Sequence, residues 1–244
     1  MVIVKQCLMQ TIRFHGGGKM LKKLRLSDVP FKDIPYSVLQ LQNITDLEQS
    51  HSRMRHFQMV ALRTMKSLTD LNLSHNKIQT ITADPEAVCC EQLECLNLIG
   101  NSLVRFNFGT VTHVQNLQRL FLGHNQIEMI TTDMNLQSLD KRNFCSWKSY
   151  YLRRMEEDQE IAQPPCIDYF ANLKDITLNK NKLTTIDMSL FEWMNLLSDI
   201  DLAYNPIKTI NIVQGKLPIS LNLSQLNGED GYLHKIPPDV FSYS

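Results

Sequence analysis

The sequence predicts an α/β solenoid: a curved parallel sheet on the concave side, with loops, 3-10 turns and short helices on the convex side. Three observations carry this. An 11-residue pattern recurs in five near-perfect copies. Most copies start about 24 residues apart. Inside each copy polar and apolar residues alternate, which is the period of a strand buried on one face.

The elements follow in order. Leu68-Thr-Asp-Leu71-Asn-Leu73-Ser-His-Asn76-Lys-Ile78 recurs at 93–103, 117–127, 173–183 and 197–207. Each copy reads L-x-x-L-x-L-x-x-N-x-L, with Ile or Phe three positions later (Ile81, Phe106, Ile130, Ile186, Ile210). Three weaker copies extend the array. One starts at Leu21, with Val29 in the Asn position; one at Ile44, with Gln49 and Ser52 replacing a Leu and the Asn; one at Pro218, with Leu226 in the Asn position. Starts at 21, 44, 68, 93 and 117 lie 23, 24, 25 and 24 apart, and those at 173 and 197 lie 24 apart. The step from 117 to 173 is 56, one repeat plus an insert at about 131–172. This divides the chain into a cap or incomplete leader at 1–20 and about eight repeats over 21–244.

The pattern has a physical reading. The two Leu of L-x-L point inward, and the Asn follows where the chain turns. Its amide suits backbone groups that a tight bend strands. One copy cannot bury its apolar face alone, but a stack can. Eight strands ~4.8 Å apart make a sheet on the order of 35–40 Å long. In the insert, Phe144-Cys145-Ser-Trp147 precedes a short helical stretch from Tyr150 to Glu160, ended by Pro164-Pro165. A partner-binding excursion, a degenerate repeat and a tolerated surface loop are its three readings.

Composition narrows the function. The chain has 244 residues, 43% hydrophobic, with 25 basic and 25 acidic residues. A net charge of zero argues against a nucleic-acid partner, which selects a basic excess. No apolar run approaches the ~18 residues that cross a bilayer, so no membrane span is expected. Val2-Ile3-Val4 is cut short by Lys5 and Gln6, so no secretory signal is legible. The chain is either cytosolic or begins downstream of its true start. Six cysteines (Cys7, Cys89, Cys90, Cys95, Cys145, Cys166) are too sparse for a disulfide scaffold.

Sites of chemistry are weakly supported. His15-Gly16-Gly17-Gly18 matches an oxyanion-hole motif, but no Gly-x-Ser-x-Gly nucleophile follows it. Cys89-Cys90 and Cys95 lack the paired spacing of a closed zinc site; buried thiols or one disulfide fit better. His51, His75 and His124 share one repeat position, a column able to bind metal or sense pH, although Gly100 interrupts it. Neither a metal nor a cofactor is expected. Acceptors for N-glycosylation occur at Asn43, Asn72 and Asn222. Asn72 and Asn222 would project from the concave strands, where a glycan would block that face.

These repeats resemble the leucine-rich repeat family. Copies of 23–25 residues, with Ile34-Pro35-Tyr-Ser-Val38-Leu39 and Ile236-Pro237-Pro-Asp-Val240-Phe241, are similar to its "typical" class. The style is similar to secreted arthropod immune members and to Toll-type ectodomains, without their cysteine-rich caps. The resemblance implies a non-catalytic module that binds a protein partner, which includes another leucine-rich repeat protein, through the concave face. Lys22, Lys23 and Arg25 lie at one end of that face, Asp46 and Glu48 next, Phe121 in the middle, and Asp199, Asp201 and Tyr204 toward the other end. Arg25, Phe121, Asp201 and Tyr204 are the expected contact residues. Phe121 holds an outward position that Asn72, Asn97, Thr177, Asp201 and Asn222 hold elsewhere. It is either an aromatic anchor or covered by Trp147 or Tyr151 of the insert. The repeat class favours an extracellular or cell-surface setting, and the missing signal a cytoplasmic adaptor. If the chain is secreted, Cys145 and Cys166 are expected to pair across the insert.

Overall fold

The computed structural model describes residues 1–14, 20–83, 89–131, 170–191, 194 and 196–211. The His15 motif, Cys145, Cys166, Trp147, Tyr151, Asn222 and the repeat starting at Pro218 lie outside these residues. The described residues form fourteen short strands: β1 (Val2–Lys5), β2 (Lys23–Ser27), β3 (Asp46–Ser50), β4 (His56–Gln58), β5 (Asp70–Asn72), β6 (Thr80–Thr82), β7 (Cys95–Asn97), β8 (Arg105–Asn107), β9 (Arg119–Phe121), β10 (Met129–Thr131), β11 (Asp175–Thr177), β12 (Thr185–Asp187), β13 (Asp199–Asp201) and β14 (Thr209–Asn211).

Eight of them make one parallel sheet in the order β1-β2-β3-β5-β7-β9-β11-β13. Its register follows the repeat: Val2, Leu24, Leu47, Leu71, Leu96, Leu120, Ile176 and Ile200 stand in one row. All but Val2 are buried. Each such Leu or Ile contributes roughly 1.5–3 kcal/mol by leaving water. A second buried row runs through Leu26, Leu73, Leu98, Leu122, Leu178 and Leu202.

The asparagines tie the turns of the solenoid together. Each of Asn76, Asn101, Asn125, Asn181 and Asn205 is buried. Asn101 accepts from the Ile78 amide of the preceding turn (3.0 Å) and donates to Leu73 O (3.0 Å) and Leu98 O (2.9 Å). Asn181 does the same across the insert, accepting from Ile127 N (2.9 Å) and donating to Leu122 O (3.0 Å) and Leu178 O (2.9 Å). The residue before each Asn takes the left-handed conformation that reverses the chain: His75 (φ 54), Gly100 (φ 70), His124 (φ 55), Lys180 (φ 53) and Tyr204 (φ 59).

Three features differ from, or add to, the sequence expectation. First, the sheet begins at β1, within the segment read as a cap or leader. Val2 pairs with Leu24, Gln6 donates to Ser27 O and has φ 49, and Cys7 falls in the Asn position. Second, the convex side is not only loop and turn. It carries parallel two-stranded ladders β4–β6, β8–β10 and β12–β14, backed by 3-10 turns at Met59–Thr64, Phe108–Val111 and Met188–Phe191. Third, β9 pairs directly with β11, Leu120 opposite Ile176. Strands 56 residues apart in the sequence are thus direct neighbours in the sheet. The flanks of the insert are Thr131 at the end of β10 and Phe170, both on the convex path. Phe170 meets Phe108 edge-on at 5.6 Å, and Phe108 also meets Phe106 (5.3 Å) and Phe191 (6.1 Å). This aromatic cluster holds the turns on both sides of the insert.

Candidate functional site

Strand alternation turns one residue of each L-x-L toward the concave side. In order these are Ile3, Arg25, Glu48, Asn72, Asn97, Phe121, Thr177 and Asp201. A parallel row, two residues earlier, holds Lys23, Asp46, Asp70, Cys95, Arg119, Asp175 and Asp199. The left-handed residues form the rim.

At the N-terminal end charges are paired within the sheet. Lys23 Nζ lies 2.8 Å from Asp46 Oδ1, and Arg25 Nε lies 3.4 Å from Glu48 Oε2. Burial opposes ionisation of Asp46, but bonds from Lys23 and Thr45 outweigh it and hold the carboxyl below its ordinary 3.8. Arg25 thus shares its charge with Glu48 at this end of the face. In the middle, Arg119 reaches over β7 to Asp70 (3.5 Å). Cys95, between them in register, is buried; burial foremost, and Asp70 after it, push its thiol up against the pull of Arg119. These exposed ion pairs contribute little to stability.

At the C-terminal end the balance changes. Asp175 and Asp199 stand opposite each other in register, and Asp201 is beside them on β13. Among the described residues none of the three has an ion-pair partner. Asp201 does have a local duty: its Oδ1 accepts from Ala203 N (3.0 Å), as Asn72 and Asn97 do from Ser74 and Ile99. Phe121 is half-buried between Asn97 and Thr177 in register. Tyr204 is exposed at the rim, with Lys180 Nζ 5.3 Å from its ring centre.

Of the expected contact residues, the structure brings Phe121, Asp201 and Tyr204 to one half of the concave face. Phe121 and Asp201 are two strands apart, ~10 Å. Arg25 is four strands from Phe121, ~19 Å. Of the acceptors, Asn43 is exposed in the turn before β3, whereas Asn72 is half-buried inside β5. Cys89 and Cys90 are bonded to each other, one disulfide rather than a metal site. No group of three metal-ligating side chains occurs among the described residues. No described helix is long and apolar enough to cross a membrane. Asp175 was missed as a contact candidate; its place one residue before the L-x-L pair was the available signal.

Comparison with known proteins agrees with this geometry. The family model for the leucine-rich repeat matches residues 67–90. The chain is 24% identical over 170 residues to the human protein named Leucine-rich repeats and immunoglobulin-like domains protein 3, covering 69% of this chain and 14% of that one. It is 24% identical over 241 residues to mouse Podocan-like protein 1, covering 88% and 42%. It is 27% identical over 126 residues to human Oligodendrocyte-myelin glycoprotein, covering 46% and 27%. The chain thus spans less than half the length of each of these curated relatives. A solved leucine-rich repeat protein of Leptospira interrogans superposes with TM-score 0.52 at 21% identity, over 82% of this chain and 44% of that one, which shows the fold. Repeat pattern, asparagine ladder, parallel solenoid and relatives converge: this chain folds as a leucine-rich repeat solenoid.

Proposed function

We propose that this chain is an extracellular, receptor-type or immune recognition protein that binds a protein partner through the C-terminal half of its concave sheet. The observation that carries this reading is the company Phe121 keeps. It is a half-buried aromatic in a row that is otherwise polar from Arg25 to Asp201, beside the three carboxylates Asp175, Asp199 and Asp201, with Arg119 opposite Asp175 on the other side. Like charges directly opposite on neighbouring strands work against the sheet. A partner that places an apolar residue on Phe121 and Lys or Arg beside Asp175, Asp199 and Asp201 relieves that repulsion and gains an aromatic anchor. The N-terminal half, already charge-paired, offers less.

The extracellular setting draws support from relatives whose names carry a glycoprotein and immunoglobulin-like domains. The test is a binding screen of the purified chain against an array of extracellular protein domains. Phe121→Ala and Asp199→Lys run in parallel. A partner bound by the wild type and lost with both variants supports the proposal. Partners indifferent to both place the site elsewhere.

A further inference from the structure

The rim of the concave sheet carries a feature that binding at Phe121 does not use. His51, His75 and His124 occupy the same left-handed position, with φ 51, 54 and 55. The rings of His51 and His75 stack, with centroids 4.5 Å apart and planes 20° from parallel. The next rim residue is Gly100 (φ 70), and a Cβ there would lie 2.5 Å from His75 Nδ1. The missing side chain is thus the seat of the His75 ring. What looks in the sequence like a break in the histidine column is the space that closes it.

We propose that this rim is a pH-operated edge of the concave surface. With the imidazoles neutral, the His51–His75 stack and the Gly100 seat are compatible. When solution protons charge the rings, two cations stand face to face at 4.5 Å, the stack opens, His75 leaves its seat, and the rim becomes cationic. The fixed charges near the column are Asp28 at its N-terminal end, Glu48 on β3, Arg53 and Lys77 on the chain behind it, and Lys180 beyond His124. Burial first, then His51, then His124, hold the His75 imidazole below its ordinary 6.5. A consequence, which rests on the binding face proposed above, is that a basic partner crossing this rim is repelled on acidification.

The device itself belongs to this chain and is tested without a partner, so its failure leaves the binding proposal standing. The experiment is an NMR titration of the histidine Cε1–H resonances of the full chain from pH 8 to pH 5, in wild type and His51→Gln. The expected result is a His75 midpoint below that of a free imidazole, moving up in His51→Gln and moving up less in His124→Gln. A second variant, Gly100→Ala, fills the seat and exposes the ring, so the His75 midpoint rises with His51 still present. A His75 midpoint at the free-imidazole value, or one unmoved by His51→Gln, overturns the proposal. If Gly100→Ala does not fold, the His51→Gln titration decides alone.

Discussion

Replacing Asn181 with Ala removes the amide that joins the turns on either side of the insert. The side chain is buried and makes three bonds at 3.0 Å or less, to Ile127 N, Leu122 O and Leu178 O. Alanine leaves the buried Ile127 amide unpaired, whereas Leu122 O and Leu178 O each keep a second donor, the Asn125 and Asn205 amides. A buried polar group left unpaired costs ~1–3 kcal/mol, and carbonyls are the cheaper case. The expected loss is therefore about 2–3 kcal/mol, one orphaned amide plus weakened carbonyl bonds, a sizeable part of the ~5–15 kcal/mol that holds a domain together. Asn172→Ala is the control, because that amide makes a similar 3.0 Å bond to Gln115 O but an exposed one; it should stay within about 0.5 kcal/mol of wild type. Urea unfolding followed by circular dichroism measures both. A fall in the urea slope for Asn181→Ala would show that the turns on the two sides of the insert have uncoupled, as nearest-neighbour stacking allows. An Asn181→Ala midpoint indistinguishable from the control would refute the ladder as a source of stability.

Three further outcomes follow from the same structure. Gln49 is fully buried on the strand row that Leu fills elsewhere, and its Oε1 has no hydrogen-bond partner; Gln49→Leu should raise stability by about 1 kcal/mol in urea unfolding, despite losing the 3.2 Å bond to Asp33 O. Phe108 touches Phe106 beside it and Phe170 and Phe191 on the far side of the insert, so Phe108→Ala should cost about 3–5 kcal/mol, whereas Tyr36→Ala, on an exposed ring, should cost little. His75 has a folded pKa below its unfolded 6.5, so the folded state binds fewer protons; stability is intact above pH 6.5 and is lost as pH falls through the lower folded value, and His75→Gln should flatten that slope between pH 7.5 and pH 5.5.

The parts of the fold legible in the sequence are those where one residue type answers one backbone need. Asn76, Asn101, Asn125, Asn181 and Asn205 were readable because only a short amide both donates and accepts at the inward bend. Their Leu neighbours were readable by alternation. β1 was not, because Cys7 replaces the Asn and Val2 and Val4 replace the Leu pair, leaving a spacing of 22 to Leu24 as the remaining sign. The convex ladders were invisible for another reason. Three-residue strands such as Thr80–Thr82, with a single apolar residue, are too short a run to show a period. At the candidate site, Phe121 stood out as an aromatic in a polar row. The pairing of Arg25 with Glu48 did not, because cross-strand partners 23 residues apart become neighbours only once the register is known.

The most direct test of the concave face as the interaction surface is the affinity of Phe121→Ala for the partner recovered from the extracellular array. Melting curves must first show the variant folded as wild type. Truncating an aromatic anchor at the centre of an interface costs ~2 kcal/mol or more, so the dissociation constant should rise about 30-fold. An affinity within about twofold of wild type, with the fold intact, would contradict the assignment of this face, because a difference that small is under ~0.5 kcal/mol.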